Sequence, residues 1–196
     1  MPIRCFSMSW KLLPTLLAAA AGLMAGCADV GGTVSGTDYA PQYDFSEFYA
    51  ATNDKTFRVV VAGTPFPNLT RPEMAQRLLP IMQANRPPSR LTFTYEVPIE
   101  PPHPDYRVVL VFDAANDLTA ASVCANQIRL QPTPSGLFNL FAVYCRNDLA
   151  LSQTTTRTPA SGPDDPRVAQ AFKQVFLELF NPFVRPRRPL FPFRPF

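Results

Sequence analysis

The chain has 196 residues but only one histidine and four cysteines, so it is poor in the side chains that most often bind metals or carry redox chemistry. His103 sits between prolines in "EPPHPDY" and cannot by itself supply a two-histidine metal site. No C-x-x-C spacing occurs, which removes the usual dithiol-exchange motif. No G-x-S-x-G elbow presents a serine nucleophile. The stretch "AGTPFPNLT" has one glycine and no lysine, where a phosphate cradle needs both a glycine-rich loop and a lysine. Asp113, Asn116 and Asp117 crowd together in "FDAANDLTAAS" but lack the ligand order of an EF-hand loop. The same residues predict a strand end and a turn, with Asp117 capping a following helix. These gaps lead us to expect no metal, no cofactor and a non-catalytic role. The alternative is a hydrolase working through carboxylates near Asp113 or Glu100, with Glu96 close to the latter.

A basic face is also missing. The net charge is +3, yet Arg4 and Lys11 precede Cys27, and Arg185, Arg187, Arg188 and Arg194 fall in the last dozen positions. Between Cys27 and Val184, 15 acidic residues outnumber 12 basic ones. Nucleic-acid binding needs positive charge on the folded body, so no nucleic-acid partner is expected.

No apolar run is long enough to span a bilayer. Leu12 to Met24 falls short of the roughly 20 residues such a helix requires. With Arg4 and Lys11 before it, the run has the form of a secretory signal, and Met8 is an alternative start. It ends in "LMAGC", which resembles the lipobox of bacterial lipoproteins in Ala25, Gly26 and Cys27, though Met24 stands where leucine is usual. The resemblance implies removal of residues 1–26 and acylation of Cys27. Several acyl chains make such an attachment stable where one alone is marginal. Ala28, rather than an aspartate, follows the cysteine, which implies the outer membrane and its periplasmic face. Cleavage after Ala28 without acylation is the competing reading.

"FYAATNDKTFRVVVAGTPFP" and "GPDDPRVAQAF" make the body similar to lipoproteins of alphaproteobacteria, a resemblance that implies no particular activity.

Residues 27–44 include "ADVGGTVSGTDYAPQYD", which has no apolar periodicity and reads as a flexible tether. Residues 45–181 read as a globular domain. "TFRVVVA" and "RVVLVFDA" are apolar on both faces, as interior strands are. "RLTFTYEV" alternates, placing Leu91, Phe93, Tyr95 and Val97 on one side. "QIRLQP", "GLFNLFAVYCR" and "LALSQTTTR" read as further strands. One helix is predicted from Thr70, with Glu73 completing a capping box and Pro80 expected to kink or shorten it. Another begins at Asp165 and Pro166, with Val168, Phe172, Val175, Phe176, Leu179 and Phe180 at helical spacing. The predicted fold is α+β, a mostly antiparallel sheet of about five or six strands with two main helices on one face.

Cys124 and Cys145 are the only cysteines left in the body, and export would place them in an oxidising compartment. A structural disulfide between them is expected, worth roughly 3 kcal/mol in the chain-entropy model.

Residues 182–196 form the last segment. Their prolines exclude helix and favour an extended polyproline form. Arg185, Arg187, Arg188, Phe191, Phe193, Arg194 and Phe196 are candidate contacts to an anionic membrane surface or to a partner's groove. A terminus without function is the third reading. Taken together, the sequence predicts a membrane-attached envelope lipoprotein that binds or scaffolds another envelope protein. An accessory lipoprotein of an envelope transport system is a further alternative.

Overall fold

Residues 106–112, "YRVVLVF", are apolar on both sides, and the layers of the fold follow from that. The computed structural model describes residues 32–184 apart from 98, 100–102 and 133. The expected signal segment, Cys27 and the candidate contacts from Arg185 to Phe196 lie outside the described residues. In chain order the elements are β1 (Thr33–Tyr39), α1 (Phe45–Thr52), β2 (Thr56–Ala62), α2 (Arg71–Ala84) and β3 (Thr92–Thr94). They continue with β4 (Tyr106–Phe112), α3 (Ala120–Cys124), β5 (Leu137–Arg146), β6 (Leu149–Pro159) and α4 (Pro166–Leu179).

The strands form one sheet in the order β1-β6-β5-β4-β2-β3. The α+β expectation holds at that level, but the sheet is mixed. Pairs β1/β6, β5/β6 and β4/β5 are antiparallel, while β2 runs parallel to both β3 and β4. The cause is α2, whose length carries the chain back before β3 begins. β3 and β4 then flank β2 on opposite sides, and so are not hairpin partners.

The expected pair of helices is also corrected, because four are present among the described residues. Phe48 of α1, Met74, Leu78 and Met82 of α2, and Phe172 and Phe176 of α4 share one core with Val108, Leu110 and Phe112. The short α3 covers the other face, where Val123 and Cys124 meet Val109, Val111, Val143 and Cys145. β2 divides the same way: Val59 and Val61 face the first core, Val60 and Ala62 the second.

Aromatic rings fill the larger core. Phe48 stacks on Phe180 with ring centroids 4.2 Å apart and meets Tyr144 edge-on at 5.6 Å. Each such pair adds about 0.5–1.5 kcal/mol to plain burial. Gly63 allows β2 and β4 to finish side by side. Its φ is +75°, and a Cβ there would lie 2.2 Å from the carbonyl oxygen of Phe112.

Residues 33–39, expected within the tether, instead form β1. The strand pairs with β6 from Thr33↔Arg157 to Tyr39↔Ser152, interrupted by a register shift between Ser35 and Asp38. Backbone pairing needs no apolar periodicity, and the polar side chains are tolerated at a sheet edge. The following loop is tied down as well. Tyr43 is fully buried and donates to the carbonyl of Asn181 at 3.0 Å. Tyr39 donates to the carbonyl of Glu178, and Ser152 to that of Leu179 at 2.6 Å. Tyr39 and Ser152 thereby satisfy carbonyls in the last turn of α4 that its own ladder leaves open, and Tyr43 ties down the chain just beyond it.

Other local expectations divide. Thr70 and Glu73 do form a capping box, and Asp165 does cap α4. Pro80 does not shorten α2, which runs on to Ala84. "QIRLQP" supplies only an isolated bridge between Leu130 and Ala114. β3 shrinks to three residues, leaving Val97 exposed.

Candidate functional site

Position 107 of β4 faces the smaller core, and there the sequence places an arginine. Arg107 is 4% exposed, with its charge met by Asp105 at 2.8 Å. Arg58 approaches the same carboxylate oxygen at 3.4 Å. The Arg107 guanidinium also donates to the carbonyl of Cys124 at 2.6 Å. In the sheet, Arg107 pairs with Cys145, and Cys145 is disulfide-bonded to Cys124, as the sequence predicts. A covalent bond and a charge-assisted hydrogen bond thus hold the same end of α3. This brace ties α3 to the sheet.

A second cluster joins α1 to the sheet. Glu47 accepts from Arg146 at 2.8 Å and from the hydroxyl of Tyr106. Burial first, then the hydrogen bond to Glu47, push the Tyr106 hydroxyl up to about 12. The Glu47 carboxylate holds the Arg146 guanidinium above its ordinary value. The Tyr144 hydroxyl is buried without a partner among the described residues, and burial drives it upward as well. Groups tuned this way stay protonated at neutral pH.

Among the described residues, the sequence-derived acids lie apart in their interactions. Asp117 pairs with Arg129 at 2.7 Å, and Thr119, not Asp117, caps α3. The turn places Asp117 two residues too early, and the Thr119 hydroxyl accepts from the Ser122 amide instead. Asp113 adopts φ 53° and has one buried oxygen without a partner among the described residues. Glu100 lies outside the described residues, and Glu96 and His103 sit in exposed chain. Among the described residues no group of three or more His, Cys, Asp or Glu is placed to hold a metal ion, and none of their helices is long and apolar enough to cross a membrane.

The feature that sequence reasoning missed is a groove of about 610 Å³ on the α3 side of the sheet. Its floor is built from cross-strand rows. Thr33, Arg157 and Asn139 form one row, and Ser35, Thr155 and Phe141 the next. The loop 114–116 and the start of α3 form its wall. Alternate residues of "LSQTTTRT" gave a signal, since Gln153, Thr155 and Arg157 share this face. The partner strand β1 was hidden in the supposed tether.

The geometry defines an α+β protein whose mixed six-stranded sheet carries a three-helix layer on one face and a disulfide-braced short helix on the other. No family model matches the chain, and neither does any curated protein. Among solved structures, the chain is similar to a leucine-to-methionine variant of PelC from Paraburkholderia phytofirmans and to PelC itself in a second crystal form, both described as dodecamers. The TM-scores are 0.36 and 0.37, with 9% and 10% identity. Each alignment covers 77% of this chain, and 95% or 96% of the other.

Proposed function

We propose that the protein is a lipid-anchored envelope lipoprotein that binds or scaffolds another envelope component without catalysing a reaction. The observation that carries this reading is the meeting of two independent marks of export: the "LMAGC" lipobox at Cys27 and the Cys124–Cys145 disulfide. The lack of convergent acids among the described residues supports a binding role over hydrolysis, since Asp117 is engaged by Arg129 and leaves Asp113 without that companion. Ala28 after the acylated cysteine supports the periplasmic face of the outer membrane. The arginines and phenylalanines after Val184 are the candidate contact to an envelope protein.

The test is the intact mass of the mature protein from its own host. A chain starting at Cys27 and carrying acyl groups is the expected result, with two hydrogens gained on reduction. An unacylated chain starting after Ala28 overturns the anchor.

A further inference from the structure

We propose that the groove between β1, β6, β5 and α3 binds an acidic oligosaccharide. The inference deepens the binding half of the reading above and rests on it, but its test does not depend on the anchor. The floor of the groove is a paired sheet, so recognition falls to side chains. Those of Ser35, Asn139, Gln153, Thr155 and Arg157 have no hydrogen-bond partner among the described residues. Hydroxyls and amides both donate and accept, which is the pattern a polyhydroxylated ligand presents. Phe141, partly exposed between Thr155 and Val111 in the register, offers an apolar surface to the C–H face of a sugar ring. Among the described residues, Arg157 is the only charged one lining the groove, and it takes part in no salt bridge with another of them. An unopposed guanidinium pairs bidentately with a carboxylate, and this selects an acidic saccharide over a neutral one. The volume lies within the usual range for small-molecule sites.

The experiment titrates the ¹⁵N-labelled mature chain, in detergent micelles, with tetragalacturonate and separately with neutral maltotetraose. The expected result is saturable shifts of the Ser35, Asn139, Gln153 and Thr155 amides, with affinity tighter than about 1 mM. Arg157→Gln should weaken binding by roughly 10- to 100-fold, the range for a lost hydrogen bond to a charged group. Resonances away from the groove should stay in place, because Arg157 is exposed. Ser35→Arg should tighten binding, and maltotetraose should bind at least about tenfold more weakly than tetragalacturonate. The absence of shifts, shifts confined to the α2/α4 side, an Arg157→Gln variant with unchanged affinity, or equal binding of both sugars overturns the proposal. So does binding to anionic lipid vesicles without binding to tetragalacturonate. The intact-mass measurement reads the anchor separately, so failure of one reading is not mistaken for failure of the other.

Discussion

Arg107 donates to the carbonyl oxygen of Cys124 at 2.6 Å, from a strand position directly opposite Cys145. The guanidinium and the disulfide therefore secure one helix end to one point of the sheet. Their contributions can be separated, because one depends on redox state and the other on charge.

Replacing both cysteines, Cys124→Ala with Cys145→Ala, should cost roughly 3 kcal/mol, the chain-entropy value for a loop of this size. Urea unfolding of the variant and of the wild type, each with and without reductant, gives the comparison. The wild type in reductant should match the variant, and reductant should leave the variant unchanged.

Arg107→Met should be costly for a different reason. It leaves the Cys124 carbonyl buried without its donor and removes the closer of the two cations at Asp105. Breaking a buried pair in this way costs about 3–5 kcal/mol. Arg129→Met removes an exposed pair with Asp117 and should cost less than about 1 kcal/mol. Equal losses in the two variants would show that burial of Arg107 has no energetic weight.

Gly63→Ala and Gly136→Ala form a matched test of strain against collision. Both glycines have positive φ, +75° and +80°, but only at Gly63 does an added Cβ meet backbone, 2.2 Å from the Phe112 oxygen. Gly136→Ala should cost about 1 kcal/mol from backbone conformation alone. Gly63→Ala should cost at least about 1 kcal/mol more, as overpacking does. Denaturation midpoints under identical conditions decide it.

The tyrosines set an alkaline limit. The Tyr106 hydroxyl is raised to about 12, and those of Tyr43, Tyr95 and Tyr144 are raised as well, chiefly by burial. A raised tyrosine favours the fold while it stays protonated. That stability is fully present below pH 10, the ordinary value, and falls as pH rises toward 12 and beyond. Tyrosinate absorbance should therefore rise together with unfolding. Tyr106→Phe removes one linked ionisation and should make the alkaline loss of stability shallower.

Legibility in the sequence followed the physics of each element. The caps of α2 and α4 were readable because Thr70, Glu73 and Asp165 act within their own turn. The two-faced strands were readable because burial on both sides leaves runs of valine. β1 was not, because "TVSGTDY" gains its structure from pairing with β6 and offers no pattern of its own. The parallel pairing of β2 with β4 was hidden because strand direction depends on where the intervening chain crosses the sheet. The groove needs β1 as one of the three strands of its floor, so it was hidden with that strand. The Cys124–Cys145 bond was recovered by elimination, since no other cysteine remained in the body.

The hydroxyls that close the end of α4 also set an order of events. Tyr39 reaches its acceptor on Glu178 across 139 residues, and Thr37 meets Thr154 across 117. Neither contact can form until nearly the whole domain has been synthesised, and long-range pairing of this kind slows folding. Until α4 emerges, the aromatic face that it covers stays open.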